Sequence, residues 1–520
     1  MLSSKKMMKL AGFMVIATLA AKICGQLRDS FIGSYFGVSS DADAFFAATK
    51  IPILFFDVII GGVISAAFIP VFNEYLTKDD KKRAMQFANR FINVILIITG
   101  IVAAVGILFA PQLIEMMTPG LAADTKALAV HMSNIMFPSI LFIGMAFVFV
   151  GILQSFGEFN IPAIISLVSN GLMIAYLLVF KDKFDVTGVA VAMLIGWAMQ
   201  AVVQIPSLIK LKYKYKPDFH FNDPGLKRTL ILAIPLLIST WVQPIGSMIN
   251  MNFSSGMAEG AMSSLEYANR LYLIIVNVFS FVVTNLIFPS MSRANAAGNE
   301  KERIELMRGG LKSVSFVILP IMAGLILLAE PTVALVYGWG EFGAEAVEFT
   351  STALKFYAVG MIGYSYAEVL NKSFFAMQET KIPMATALIS IAANVGLSFV
   401  LSGSMGIGGL ALASAITATL NAAMNFVVMS KKTGGIMAKK EIINILKIIV
   451  SCAFMSAVVW AVYVYAAPHF PGNIMGKVLT FIVPAGAGAI VYLAVCAALK
   501  ADEVKMIMRF VKPKKEVNNH

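Results

Sequence analysis

The stretch "MMKLAGFMVIATLAAKICGQLRDSFIGSYF", residues 7–36, decides the class of fold. It is mostly apolar and longer than the roughly 20 residues that an α-helix needs to cross a bilayer. A signal peptide has a shorter apolar core and ends at a small-residue cleavage site, which this run lacks. The run therefore predicts a first membrane-spanning helix. Its charged residues Lys22, Arg28 and Asp29 need an explanation, because a charge at the bilayer centre costs about 2.5–3.5 kcal/mol on insertion scales.

The composition extends this interpretation to the whole chain. Of 520 residues, 58% are hydrophobic and 13% are charged, whereas a soluble domain has about 25% charged residues. The formal net charge is +12, but the basic residues lie in loops between apolar runs, so no nucleic-acid partner is predicted. The scattered cysteines and histidines predict no disulfide, metal site, cofactor or catalytic constellation. We therefore expect a membrane protein that is not an enzyme.

About fourteen apolar segments are long enough to span a membrane. The predicted spans are residues 7–36, 42–75, 86–110, 127–153, 160–180, 187–209, 229–253, 262–291, 313–330, 347–370, 383–402, 407–430, 441–466 and 474–499. Lysine and arginine concentrate in alternate loops and in the tail, and the side that carries them is predicted to be cytoplasmic. An even number of spans places both termini on that side.

A repeat with a period of about 220 residues runs through the first twelve spans. Three pairs of segments match at nearly constant offset. They are "FIPVFNEY" (68–75) with "IFPSMSRA" (287–294), "NIPAIISL" (160–167) with "KIPMATAL" (381–388), and "TGVAVAM" (187–193) with "GGLALAS" (408–414). Because each copy has six spans, both copies enter the membrane in the same orientation.

The repeat predicts an all-α polytopic membrane protein with two parallel six-helix lobes around a central cavity and two C-terminal helices. The predicted boundaries are 1–218 for the N-lobe, 219–432 for the C-lobe, and 433–520 for the two extra helices and a basic cytoplasmic tail. Transporters built in this way place the substrate between the lobes and alternate access by rocking them.

Charged residues inside the spans form polar faces. Lys22 and Asp29 are seven residues apart and share a face of the first span, and Asp43, Lys50 and Asp57 repeat this spacing in the second span. Further polar residues line the seventh and eighth spans, namely Gln243, Asn250, Glu266 and Asn277. Since cations are costly in lipid, we expect the polar faces to meet in a wet cavity. Its substrate-binding cations are predicted to be Lys22, Arg28, Lys50 and Arg270, which suit an anionic head group because arginine and lysine both bind phosphate.

Local ion pairing is the alternative explanation for these charges. The pairs in question are Arg28 with Asp29, Lys50 with Asp57 and Arg270 with Glu266. Asp43 lies near the outer end of its span, where a capping or lobe-stabilising role is favoured over ligand binding. Lys355 fits a structural or interfacial position, and its functional role stays undecided.

Five segments also carry a family signature. They are "GQLRDSFIGSYFG" (25–37), "DADAFFAATKIP" (41–52), "AAFIPVFNEY" (66–75), "YANRL" (267–271) and "NLIFPSMSRA" (285–294). These segments resemble the MurJ/MviN family of lipid II flippases, which belongs to the same superfamily as multidrug and oligosaccharide-lipid exporters. The resemblance covers both lobes, and the last two spans match by count and position.

The resemblance implies movement of lipid II, the lipid-linked peptidoglycan precursor, from the inner to the outer leaflet of the bacterial cytoplasmic membrane. In the family, cations on the first, second and eighth helices engage the diphosphate. By motif these are Lys22, Arg28, Lys50 and Arg270, with Asp29 and Asp43 as family acidic positions. The two extra helices are expected to form a groove for the lipid tail.

Two departures from the family pattern change the expectation. Phe56, followed by Asp57, stands where many members have a further arginine, so the cationic clamp is thinner here. The seventh and eleventh spans contain no Asp or Glu, so the sodium site of some members is not predicted. The sequence leaves the coupling ion open.

Two other functions stay open from the sequence. One is export of another polyprenyl-linked saccharide, and the other is a non-transporting membrane scaffold of the cell-wall machinery. A drug exporter for cations would need an acidic cavity, whereas this one is predicted to be basic. We expect lipid II and membrane lipids as partners, and a monomer, because each chain already contains both lobes.

Overall fold

The computed structural model describes residues 4–56, 64–77, 81–180, 185–240 and 242–504. These residues form helices and no β-strand. The α-helices are α1 (Ser4–Phe36), α2 (Ser40–Phe56), α3 (Ile69–Thr77), α4 (Lys81–Leu108), α5 (Ala110–Met117), α6 (Ala123–Met136), α7 (Ser139–Ser155), α8 (Asn160–Phe180), α9 (Val186–Val202), α10 (Ile205–Lys210), α11 (Pro224–Thr240), α12 (Val242–Ser255), α13 (Ala261–Ala296), α14 (Glu300–Leu327), α15 (Ala329–Val336), α16 (Ala344–Val359), α17 (Met361–Ala376), α18 (Lys381–Thr433), α19 (Lys439–Ala466) and α20 (Ile474–Ala498). A π-helical turn, Ile64–Phe68, precedes α3, and a short 3₁₀ turn follows α19.

The predicted all-α polytopic membrane fold is confirmed. Within the described ranges, eight helical segments are long and apolar enough to cross a membrane. Five more helices lie in predicted spans but have 17 described residues or fewer. They are α2, α11, α12, α16 and α17. The count of fourteen spans stays a prediction, and Asp57 lies outside the described residues.

Proline and glycine explain where the predicted spans are broken. Pro138 separates α6 from α7, and Pro206 begins α10 after α9. Helix α18 joins the eleventh and twelfth predicted spans through Gly406, whose φ of 56° and ψ of −135° are not helical. Glycine adopts this conformation without the steric penalty of a side chain. The two spans are therefore distinct helices that meet at one glycine.

The repeat seen in the sequence reappears in the helix bounds. Helices α4 and α5 begin at Lys81 and Ala110, and α14 and α15 begin at Glu300 and Ala329, which is 219 residues later in each case. Both pairs contain a long helix of 28 residues and a short one of 8. The sequence analysis missed the short helices α5 and α15, because it treated the end of an apolar run as the end of a span.

The described residues fall into two compact units. The first contains those up to Ser263 together with Trp339–Phe342, and the second contains Ser264–Gly338 and the residues from Gly343 onward. Helices α11 and α12 thus pack within the first unit, whereas the repeat assigns them to the C-lobe. The lobe boundaries derived from the repeat stay a prediction.

Each unit has an apolar core. In the first, Phe68 stacks on Phe87 and Phe91, with ring centroids 5.5 and 4.7 Å away. Gly151 makes room for Phe68, since a Cβ there would lie 2.9 Å from the ring. In the second, the Tyr492 hydroxyl donates to the Phe316 carbonyl at 2.7 Å and ties α20 to α14. These contacts hold α4 and α7 together in the first unit, and α14 and α20 together in the second.

Candidate functional site

Arg28 on α1 is the centre of a polar cluster in the first unit. Its Nε and Nη2 donate to Oδ1 of Asp29 at 2.9 and 2.7 Å, and its Nη1 donates to Oδ1 of Asn170 at 2.9 Å. Neighbouring residues on a helix do not normally face each other, so the long arginine side chain bends back to reach Asp29. These three bonds use three of the five guanidinium N–H groups. Two N–H groups are left to bind another acceptor.

The bend of Arg28 places its charge on the polar face of α1. Asp29 is 5% exposed, and the side chain of Arg28 is 18% exposed. Lys22 is half-buried and lies two turns before Asp29 on the same face. Because the guanidinium is bonded to Asp29, it lies on the face that also carries Lys22. The structure therefore brings Arg28 and Asp29 together, as the sequence predicted, while a third partner comes from another helix.

Asn170 on α8 is the partner that the sequence analysis missed. Helix α1 passes close to it at Gly25, where a Cβ would be in van der Waals contact with the Asn170 amide nitrogen at 3.4 Å. The polar contact continues into α9, where Gln200 donates to Ser169 at 2.9 Å. The signal was present in the sequence, because Ser169 and Asn170 interrupt an apolar span in which polar residues are costly.

Asp43 on α2 caps the start of α13. Its carboxylate accepts the backbone N–H groups of Gly260 and Ser263 at 2.9 and 2.6 Å, and the residue is 3% exposed. An anion at the N-terminus of a helix satisfies otherwise unbonded N–H groups and interacts favourably with the helix dipole. The carboxylate of Asp43 therefore acts as a helix cap, which is the role that the sequence analysis favoured over ligand binding.

Lys50 and Arg270 occupy comparable positions on their own helices. Lys50 lies seven residues after Asp43 on α2, and Arg270 lies seven residues after Ser263 on α13. On its own helix, each cation is thus about two turns, or about 10.5 Å, further along than Asp43 or Ser263 respectively. Both residues are half-buried, as is Glu266 on α13.

Helix α17 carries a polar face in the second unit that the sequence analysis did not single out. Tyr364 donates to Asn277 of α13 at 3.4 Å, and Ser280 of α13 bonds to Ser365 at 2.9 Å. The hydroxyl of Tyr366 lies 2.6 Å from that of Ser315 on α14. Asn277, which was predicted as a supporting residue, is therefore placed in a neutral hydrogen-bond network.

The other predicted residues are placed as follows. Asn250 is half-buried on α12, and Lys355 is half-buried on α16. The side chain of Gln243, like Asp57, lies outside the described part of the chain. Within that part, no three His, Cys, Asp or Glu side chains come together as a metal site. The arrangement around Arg28 offers N–H donors in a partly buried setting, which suits anion binding.

Comparison with known proteins identifies the family. The family model described as "Lipid II flippase MurJ" matches residues 32–479. A probable lipid II flippase MurJ from Buchnera aphidicola is 29% identical over 486 residues, which cover 92% of this chain and 94% of that protein. The lipid II flippase MurJ of Burkholderia cenocepacia is 28% identical over 423 residues, covering 80% of this chain and 82% of that protein.

Solved structures agree with these relatives. A structure titled "Lipid II flippase MurJ, inward closed conformation" superposes with a TM-score of 0.80 at 26% identity, covering 94% of this chain and 99% of that one. An inward-facing multidrug resistance MATE transporter of the MOP superfamily shares the fold, with a TM-score of 0.69 at 16% identity over 79% of this chain and 94% of that one. On the strength of a family match across most of its length, the chain belongs to the MurJ family of lipid II flippases.

Proposed function

We propose that this chain moves lipid II from the cytoplasmic to the outer leaflet by alternating access. The observation that carries the proposal is the family match over residues 32–479. The bonding of Arg28 supports it, because a partly buried guanidinium with two N–H groups left over suits a phosphate. The family match favours lipid II over another polyprenyl-linked saccharide or a scaffold role.

Arg28 is the residue we expect to contribute most to binding the diphosphate. Its bonds to Asp29 and Asn170 hold the guanidinium in one orientation before substrate arrives, which lowers the entropy cost of binding. Hydrogen bonds between an arginine and a phosphate are charge-assisted and stronger than neutral ones. Asp29 makes the pair formally neutral, so the empty site avoids a lone buried cation.

The other three cations are proposed to complete the clamp. Lys22 shares the face of α1 that carries the Arg28 guanidinium, and Lys50 and Arg270 lie two turns after Asp43 on α2 and after Ser263 on α13. Lysine acts as a point charge and arginine as a planar fork, so the set would bind phosphate oxygens without breaking any bond. We therefore propose a transporter that performs no catalysis and acts as a monomer.

The proposed location is the bacterial cytoplasmic membrane, with both termini in the cytoplasm. The excess of lysine and arginine in alternate loops supports this orientation. Modification of single introduced cysteines by a membrane-impermeant thiol reagent in intact cells would test it. Labelling of a cysteine near residue 431 only after the cells are opened is the expected result, because that loop is basic.

A leaflet-resolved lipid II assay, in cells whose only flippase is this protein, tests the function directly. We expect Arg28→Ala to lower the appearance of lipid II on the outer leaflet by at least about a hundredfold, because two charge-assisted hydrogen bonds contribute about 1.5–3 kcal/mol each. Arg270→Ala should also abolish function. Arg228→Ala and Arg293→Ala are matched controls, since both side chains are exposed and outside the proposed clamp.

Folding and function must be separated in this experiment. Arg28→Ala alone leaves Asp29 buried without its cation and so lowers stability. Arg28→Ala with Asp29→Ala removes the pair together and should fold, yet it should still fail to transport. Normal transport by the double variant would refute the clamp, and viable cells with both Arg28→Ala and Arg270→Ala would point to a scaffold.

A further inference from the structure

At the predicted cytoplasmic ends of α19 and α20, in the second unit, lies a partly open basic cavity that contains none of the residues proposed to bind the diphosphate. Its volume is about 310 Å³, and it is lined by Lys439, Lys440, Ile443, Asn444, Lys447 and Asp502. Water occupies about 30 Å³ per molecule in the liquid, so the cavity has room for roughly ten waters. A glycerol phosphate group fits this space.

Hydrogen bonds fix the wall of the cavity. Asn444 is 3% exposed, and its amide nitrogen donates to both carboxylate oxygens of Glu503 at 2.9 and 2.8 Å. Its amide oxygen accepts the backbone N–H of Asp502 at 3.0 Å. Lys447 donates to the carbonyl of Lys500 at 3.3 Å. The turn after α20 is therefore held against α19, and the lining residues have defined positions.

The charge of the cavity is positive. Lys440, Asn444 and Lys447 recur at helical spacing on one face of α19, with Lys439 beside them. Asp502 is the one acidic lining residue, 3.9 Å from Lys440 and 3.5 Å from Lys312. With Glu503 bonded to Asn444 and Lys312 beside Asp502, four lysines stand against two carboxylates. The net charge attracts anions, and a partly enclosed cavity strengthens this attraction.

The surroundings indicate a lipid as the source of the anion. By the predicted orientation, the cavity lies at the cytoplasmic ends of the spans 441–466 and 474–499, which is the depth of lipid head groups. Next to it on α19, the side chains of Ile442, Ile443 and Leu446 are 51%, 44% and 54% exposed. Apolar side chains beside a phosphate site give acyl chains a surface to pack on.

We propose that this cavity binds the phosphate of an anionic phospholipid in the cytoplasmic leaflet. Basic pockets between transmembrane helices on this side of a membrane are suited to such head groups. The lysines supply the charge, Asn444 fixes the turn that closes the cavity, and the exposed isoleucines and leucine contact the chains. The cavity shares no residue with the proposed diphosphate clamp, so either assignment can fail without the other.

Native mass spectrometry of the full chain in detergent tests the proposal without lipid II. The probes are phosphatidylglycerol and the zwitterionic phosphatidylcholine. We expect phosphatidylglycerol to be retained preferentially, and Lys439→Met with Lys447→Met to weaken its binding roughly tenfold to thirtyfold. The double variant Lys381→Met with Lys431→Met is the matched control, because both lysines are exposed in unit 2 and neither lines the cavity. It should bind phosphatidylglycerol like the unmodified chain.

A second variant changes binding in the opposite direction. Asp502→Asn removes the carboxylate from the cavity and should tighten phosphatidylglycerol binding several-fold, a gain that misfolding cannot produce. Equal retention of the two lipids, or equal losses in the cavity and control variants, would overturn the proposal. Displacement of phosphatidylglycerol by an equal concentration of inorganic phosphate would assign a free-anion site and overturn the lipid assignment.

Discussion

The two copies of the repeat end in connectors that are held by an arginine at nearly the same place. The first connector is residues 211–223, after α10, and the second is residues 434–438, after α18. Arg90 of α4 binds the first connector, and Arg308 of α14 binds the second. The two arginines lie near the tenth position of helices of equal length. Arg90 binds carboxylates, whereas Arg308 binds backbone carbonyls. The first connector is therefore held by ion pairs and the second by neutral acceptors.

The first connector is held by charge. Arg90 donates from Nε to Asp218 at 2.8 Å and from Nη1 to Asp223. Asp223 also accepts the backbone N–H of Gly225 at 2.7 Å and so caps the start of α11. Tyr213 and Tyr215 donate to Asn89 and Asn93 of α4, which tie the same segment down further.

The second connector is held through its backbone. Arg308 donates to the carbonyls of Gly435, at 3.2 Å, and Ile436. Backbone carbonyls carry no net charge and do not titrate. The comparison shows that both copies of a repeat can hold their connector with an arginine although the acceptors change from carboxylates to carbonyls. The stability of the first connector should depend on charge and pH, and that of the second should not.

The largest effect is expected from Arg90→Ala. The side chains of Asp218 and Asp223 are 19% and 9% exposed, so the substitution leaves Asp223 without its cation and Asp218 with His220 alone. The free energy of unfolding should fall by about 3 kcal/mol, measured by denaturant unfolding in micelles. Arg83→Ala, an exposed arginine on the same helix, is the control. A loss no larger than that of the control would show that the first connector does not rely on charge.

Arg308→Ala should have a smaller effect. It frees two backbone carbonyls that can bind water, so we expect a loss of about 1–2 kcal/mol. Hydrogen exchange of the amides in residues 434–438 should become faster, while residues 211–223 should exchange at the original rate. A loss as large as that of Arg90→Ala would remove the distinction between the two connectors.

The connectors begin at the C-terminal ends of α10 and α18, where substitutions in opposite directions can be compared. Lys212 follows α10 with a φ of 57°, and Gly434 follows α18 with a φ of 68°. In both places the backbone N–H of the next residue donates to the carbonyl five residues earlier. Tyr213 donates to Leu208, and Gly435 donates to Ser430. Because glycine tolerates positive φ, Lys212→Gly should stabilise the protein and Gly434→Ala should destabilise it, each by about 1 kcal/mol. Thermal unfolding of the two variants gives the signs, and equal signs would contradict the explanation.

The smallest effect is expected in the pH dependence of the unfolding temperature, through Asp218 of the first connector. Hydrogen bonds from His220, together with Arg90, lower the pKa of Asp218 from 3.8 to about 2. A lowered pKa in the folded state means that the carboxylate stabilises the fold above about pH 4 and that this contribution is lost as the pH falls toward 2. Asp218→Asn should therefore weaken the dependence of the unfolding temperature on pH between 2 and 4. Arg308→Ala should leave that dependence unchanged.

Much of the fold could be predicted because helix formation in a membrane is a local property. The predicted span 160–180 coincides with α8, and 441–466 differs from α19 by two residues at its start. The site was predicted less completely. Because Arg28 and Asp29 are neighbours in the sequence, their ion pair was among the alternatives that the sequence offered. The bond from Arg28 to Asn170, by contrast, joins residues 142 positions apart. No spacing rule reaches across two separate helices.

The sequence by itself determined the polytopic helical class and revealed the repeat, and it predicts the approximate spans and the side of the membrane that carries the basic loops. Apolar length and charge distribution fix these features without reference to any partner. Tertiary structure decided that Asn170 completes the Arg28 cluster, that Asp43 caps α13, and that the connectors are clasped by Arg90 and Arg308. Those contacts depend on how far each helix is rotated and shifted against its neighbours, which is set by packing between helices, such as that of the Gly25 backbone beside Asn170.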